Sequence, residues 1–141
     1  MEVRVGQKAR RSLEVTEATV RAYAEMTGDW NPLHFDQGFA ARTKFRRRVA
    51  QGGITSGILN ALVAMDLPGP GTVFMSQDLK YVAPVYIGDT ITGEVEVLEV
   101  HPVKPVTRLR VRVERAVGET VLEGEAWCYT FSGEGALPES G

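Results

Sequence analysis

A single cysteine, Cys128, stands in the 141-residue chain, so no internal disulfide can form and no second thiol is present to share a metal or a redox cycle. A reducing cytoplasm is the expected setting. Histidine is almost as scarce, at two residues. That leaves no His/Cys spacing of the kind that builds a metal site, and neither a phosphate-binding glycine loop nor a dinucleotide fingerprint occurs. Excess positive charge is also missing: 16 Lys and Arg against 18 Asp and Glu leave a formal charge of −2. Without a strong positive field, neither nucleic acid nor an anionic membrane is an expected partner. Long apolar runs are absent too. The longest, from Ile54 to Met65, is well short of the ~20 residues that span a bilayer. The amino-terminal MEVRVGQKARRSLEV has no apolar core of signal-peptide length, so neither export nor membrane insertion is expected. No repeat, linker or low-complexity block divides the chain, and its length suits one domain over 1–141.

What is present changes character halfway along. Thr16 is placed to cap a first helix, with Glu17 in its first turn, Val20, Tyr23, Ala24 and Thr27 at helical spacing, and Gly28 as the stop. A loop, DWNPLHFD, should follow, because Pro32 disfavours the helical region for Asn31. Asp36 can then cap a short helix carrying Phe39 and Ala40. The segment ITSGILNALVAM is apolar on nearly every face and reads as a buried helix at the centre of the fold. After Pro68-Gly69-Pro70-Gly71 the pattern turns to alternation, predicting strands at about 72–82, 90–100, 106–117 and 120–131. Leu109, Val111 and Val113 point one way and Arg108, Arg110 and Arg112 the other, as an antiparallel sheet with one wet face requires. The expected fold is α+β: an antiparallel sheet curled round one central helix, with a mobile tail at about 132–141.

Two features could carry chemistry. Asp29 and His34 flank the stiff Asn31-Pro32 just after a helix stop, and a carboxylate and an imidazole in one site supply an acid and a base. The plainer reading of the same residues is a turn aspartate and a half-buried loop histidine. Gly52-Gly53 stands at the predicted start of the central helix, where free N–H groups and the positive helix end can hold a developing oxyanion. The plainer reading there is a tight glycine turn. Together the features suit enolate chemistry beside a thioester, and equally suit attack of water on the thioester carbon.

The run AEMTGDWNPLHFDQGFA, Ala24 to Ala40, resembles the signature of the MaoC-like hydratases, the (R)-specific enoyl-CoA hydratase group of the hotdog superfamily. The similarity continues through Gln51-Gly52-Gly53 and LPGPGTVFMSQDLKYVAPVYIGDTITGEVEV. The resemblance implies a hotdog fold with a long central helix, a homodimer with active sites near the subunit interface, an acyl-CoA or acyl carrier protein thioester as substrate, and no metal or redox cofactor. It implies that Asp29 and His34 bind and activate water while the Gly52 amide, with Gly53 beside it, polarises the thioester carbonyl. Asp29 would take a proton from water as hydroxyl adds to C3 and His34 would deliver one to C2, or the two roles are exchanged. Asn31 and Asn60 are the expected supporting residues. Two departures are visible: Gln51 where many members have histidine, and Asn60 where some carry a serine that supports the aspartate. Rival functions are an acyl-CoA thioesterase in the same pocket and a non-catalytic acyl-thioester-binding subunit.

The remaining candidates read as structural. Cys128 sits between Trp127 and Tyr129 in an alternating strand and is expected to be buried and inert. His101, before Pro102, is expected in a solvated turn. Arg46-Arg47-Arg48 could meet CoA phosphates but reads first as a solvated face. Met26, Met65 and Met75 are expected in the core or lining a pocket.

Overall fold

The computed structural model describes residues 3–132; the tail expected to be mobile lies, from residue 133 on, outside the described residues. Along the chain run β1 (Lys8–Glu14), α1 (Glu17–Thr27), α2 (Pro32–Phe35), α3 (Gln37–Ala41) and α4 (Gly52–Ala61), which continues into a π-helical turn, Leu62–Asp66. Then come β2 (Thr72–Tyr81), β3 (Thr90–Val100), β4 (Val106–Ala116) and β5 (Glu119–Thr130). The five strands form one antiparallel sheet in the order β1-β3-β4-β5-β2. Its apolar face, including Ile91, Val95, Val97, Leu109, Val111, Val113, Leu122 and Ala126, closes on Ile54, Ile58, Leu59 and Leu62 of α4 and its extension. This is the α+β hotdog arrangement. The helix rests directly on β3 at Gly93, where an added Cβ would stand 3.0 Å from methyls of both Ile58 and Leu62.

The four strands read from alternation lie within a residue or two of their expected places. On the outward face Arg108 pairs with Glu99 and Glu125, Arg110 with Glu96, and Arg112 with Glu94 and Glu114, which joins neighbouring strands by opposite charge. A fifth strand, β1, has no counterpart in the sequence reading. It is an edge strand whose side chains are nearly all exposed, so its sequence KARRSLE carries no inside/outside alternation.

Three further expectations are corrected. DWNPLHFD is not all loop: Asn31 stays extended, as the following proline demands, but Pro32 occupies the first position of α2, where its missing N–H costs nothing. The central helix is not buried all round. Ile54, Thr55, Ile58, Leu59, Leu62 and Val63 are buried, while Gly52 and Asn60 are exposed and Gly53, Ser56, Gly57 and Ala61 are only partly covered. Met65 and Met75 are exposed rather than in the core, whereas Met26, exposed as well, lines a cleft as expected. Met75 is the extra residue of a bulge on the edge strand β2, and Met65 lies in the π-helical turn.

Candidate active site

The loop that follows α1 is built from local hydrogen bonds. Thr16 and Thr19 close a capping box at the start of the helix, and Gly28 ends it with φ 84°. Beyond it the Asp29 N–H donates to Thr27 Oγ1 at 3.2 Å, and Asp29 Oδ1 accepts the Asn31 N–H at 3.3 Å. Asn31 Oδ1 in turn accepts the Leu33 N–H at 3.0 Å and so caps α2, the helix that carries His34. Asn31 therefore supports both members of the expected pair through the backbone.

His34 is 8% exposed and Asp29 39% exposed by side chain, with His34 Nε2 3.6 Å from Asp29 Oδ2. The other ring nitrogen, Nδ1, lies 2.7 Å from the Val49 carbonyl oxygen. A carbonyl only accepts, so Nδ1 carries the proton and, in the neutral ring, Nε2 presents its lone pair to Asp29. Two acceptors thus face one another across a gap too long for a direct hydrogen bond. A molecule with two donors, such as water, satisfies both.

Val49 also fixes the distance to the second feature. Gly52 follows it by three residues, which places the start of α4 within about 10 Å of the imidazole's anchor. Neither the Gly52 nor the Gly53 N–H has a hydrogen-bond acceptor among the described residues, and Gly52 is exposed. Gln51 precedes them as the N-cap, yet its side chain does not cap. It turns inward, 1% exposed, and donates from Nε2 to the Val20 carbonyl of α1 at 3.1 Å. The amides at the positive end of α4 are thereby left open to a ligand oxygen. On the cleft side, Tyr23 occupies the space in which a Gly53 Cβ would stand. From that point an apolar cleft of about 470 Å³ runs between α1, β1 and α4 past Met26, Ile54, Gly57 and Ala61. A larger concavity of about 740 Å³ lies over the charged outer face of the sheet at Lys80, Arg110, Glu123 and Trp127, and none of the expected site residues borders it.

Arg48 and Val49 are site-building residues that sequence reasoning missed. Arg48 Nε donates to the His34 carbonyl at 2.8 Å, and its guanidinium grips Glu17 in two bonds of 2.8 and 2.7 Å. The same contact holds the Glu17 carboxyl below the usual carboxylate range. The charge triplet at 46–48 is thus split: Arg48 ties α1 to α2, while Arg46 and Arg47 are exposed. Asn60 is not brought to Asp29. It is exposed on α4, about 12 Å along the helix axis from Gly52, and its side chain makes no hydrogen bond among the described residues.

The remaining residues take structural places. Asp36 Oδ1 caps α3 at the Phe39 N–H, 3.0 Å away. His101 Nδ1 accepts from the Val103 and Lys104 amides and so organises a turn. Cys128 is fully buried, and burial pushes its thiol up to about 12. That leaves it without thiolate for nucleophilic work.

The chain is similar to several known proteins. The family model described as the MaoC like domain matches residues 2–121. An (R)-specific enoyl-CoA hydratase of Aeromonas caviae is 39% identical over 122 residues, covering 86% of this chain and 91% of that protein. A 3-hydroxybutyryl-CoA dehydratase of Methylorubrum extorquens is 46% identical over 114 residues, covering 80% and 71%. Among solved structures, an (R)-hydratase from A. caviae superposes with a TM-score of 0.87 at 37% identity, covering 92% of this chain and 98% of that one. An unliganded R-hydratase from Pseudomonas aeruginosa gives 0.85 at 39% identity, covering 92% and 83%.

Proposed function

Because the chain belongs to the MaoC-like domain family, we propose that it is a hydro-lyase that hydrates trans-2-enoyl-CoA to (R)-3-hydroxyacyl-CoA, or runs the reverse dehydration. The observation that carries the mechanism is the pair of opposed acceptors, His34 Nε2 and Asp29 Oδ2, 3.6 Å apart. One water donates a hydrogen to each. As its oxygen adds to C3, the pair takes one proton, the C2–C3 π electrons move toward the thioester, and the charge develops on the carbonyl oxygen. The Gly52 amide, with Gly53 beside it, stabilises that enolate oxygen at the positive end of α4. The pair then returns one proton to C2 on the same face. Atoms and charge balance over the cycle, and whichever of Asp29 and His34 takes the proton, no metal or redox cofactor is called on.

A panel of 2-enoyl-CoAs of increasing chain length, followed by loss of the conjugated enoyl absorbance, tests this reading. Hydration of at least the short members is expected, and no loss of absorbance with any member would refute it.

The working unit in this reading is a homodimer. Strand β2 is an edge with Val73, Met75 and Tyr81 exposed along it, whereas the opposite edge, β1, is guarded by Lys8, Arg10, Arg11 and Glu14. An edge that exposes these apolar side chains and carries only Asp78 and Lys80 as charges invites pairing with a second copy. Light scattering at micromolar concentration should give about twice the 15.4 kDa of one chain. A fully active species at the mass of a single chain would remove the second subunit from the mechanism.

The molecule's setting follows from less. No helix among the described residues is long and apolar enough to cross a membrane, and a cytoplasmic location suits a CoA-dependent enzyme with one unpaired thiol.

A further inference from the structure

We infer that Arg46, Arg47, Tyr86 and Arg115 form a docking surface for the phosphorylated adenosine end of coenzyme A, an inference that rests on the enoyl-CoA reading above. The first support is charge. The chain is net negative, yet no Asp or Glu lies between Asp36 and Asp66, and within that interval stand Arg42, Lys44, Arg46, Arg47 and Arg48. Of these five cations only Arg48 has a carboxylate partner among the described residues. The sheet arginines 108, 110, 112 and 115 are each neutralised. The other cations without a carboxylate partner among the described residues, Arg4, Lys8, Arg21, Lys80 and Lys104, are scattered along the sequence, so 42–47 is its densest run of uncompensated positive charge.

The second support is backbone geometry. Arg46, with φ 68°, is the only non-glycine residue of positive φ among the described residues. Side chains with a Cβ adopt that conformation at a cost, and such costs cluster where a residue has a function. Here the chain turns so that Arg46 and Arg47 remain in solvent while Arg48 bonds inward to the His34 carbonyl.

The third support is an aromatic plate. The Arg47 guanidinium lies 4.2 Å from the Tyr86 ring centre and that of Arg115 lies 5.1 Å from it. Flat guanidinium and phenol faces suit stacking of a purine, and the guanidinium N–H groups of Arg47, free of any carboxylate, suit a phosphate. Arg115 is held in place by the Pro84 carbonyl and Glu119. Placement completes the case: Tyr86 forms an antiparallel bridge with Val49, the residue whose carbonyl orients His34. The cationic plate is thus one backbone segment away from the acid/base pair, with the pantetheine arm to cover the interval. Arg42, Lys44, Arg46 and Arg47 fall within six residues, with Arg47 on Tyr86, Arg42 on Phe39 and Lys44 on Phe45, a footprint that fits one nucleotide better than the extended acidic face of a carrier protein.

Adenosine 3′,5′-bisphosphate, which carries no thioester, is the probe. It should bind the wild-type protein in calorimetry and compete with crotonyl-CoA. In the Arg46→Glu/Arg47→Glu variant its binding should be lost, and KM for crotonyl-CoA should rise about tenfold or more, with kcat falling less than KM. KM for the crotonyl thioester of N-acetylcysteamine, which lacks the nucleotide, should move far less. A bisphosphate that does not bind, or a KM that rises equally for both thioesters, overturns the inference. So does a selective loss with crotonyl carrier protein while the bisphosphate fails to compete, which would assign the surface to a protein. Calorimetry needs no turnover, so it judges the docking surface even if the wild-type protein hydrates neither thioester, a result that instead refutes the reading under Proposed function.

Discussion

Asp29→Asn and His34→Ala should each lower turnover by about two to four orders of magnitude, the usual contribution of a positioned general acid or base. The structure gives each substitution a specific consequence. An amide at position 29 replaces one carboxylate oxygen by a donor, so the water that must give one hydrogen to each group loses an acceptor. Removing the imidazole deletes the other acceptor and frees the Val49 carbonyl, whose hydrogen bond to Nδ1 spans 2.7 Å. The fold should survive both changes. Asp29 is substantially exposed, and the main core cluster is made by α4 and the sheet without His34. If the two groups serve one water, as proposed, the double variant should be little worse than the poorer single one. Kinetics with circular dichroism as a folding control decides the matter: near-normal hydration by either single variant would contradict the assignment, and multiplicative losses in the double would place the groups in separate steps.

Gly53→Ala should be the most damaging single-carbon addition near the site. The new Cβ would overlap the Tyr23 hydroxyl and approach Cε1 to 2.8 Å. Real Cβ atoms do not sit so close, so either the Tyr23 ring leaves its rotamer or α1 lifts from α4. Overpacking of this kind costs about 1–3 kcal/mol. It also displaces the amides at positions 52 and 53, so activity should fall by more than the loss of folded protein explains. Tyr23→Ala should relieve the overlap. The Gly53→Ala/Tyr23→Ala protein is expected to regain stability relative to Gly53→Ala alone, a coupling that independent sites would not show. Thermal unfolding of the four proteins in the cycle measures it, and simple additivity would mean that the two side chains do not compete for one space.

Much of this arrangement was legible from the residues alone where local chemistry writes it. Alternation placed β3 to β5 because each has a wet face and a dry one, the break at Pro68-Gly69-Pro70-Gly71 marked the start of the largely exposed β2, and Thr16 and Gly28 bounded α1 because helix ends must satisfy their own backbone groups. β1 was invisible because an edge strand exposed on nearly all its side chains has no pattern to display. The closeness of Asp29 and His34 was legible because it is set within six residues by Asn31 and Pro32. Arg48 and Val49 were not, since they reach His34 from 14 and 15 positions away and nothing in the run RRRV distinguishes an inward arginine from its exposed neighbours. The burial of α4 was overstated for a related reason. Apolar and small residues line nearly all its faces, and only the assembled fold separates the face on the sheet from the face left partly open at Gly53, Gly57 and Ala61.

In the proposed reaction the water activated by Asp29 and His34 is aimed at C3 of an enoyl thioester rather than at its carbonyl carbon. Polarisation by the Gly52 amide serves either target, so its loss cannot separate them; the product can. Incubated with crotonyl-CoA, the protein should consume the enoyl chromophore and yield (R)-3-hydroxybutyryl-CoA with no release of thiol. Free CoA appearing at the rate of substrate loss, or a product of (S) configuration, would contradict the account.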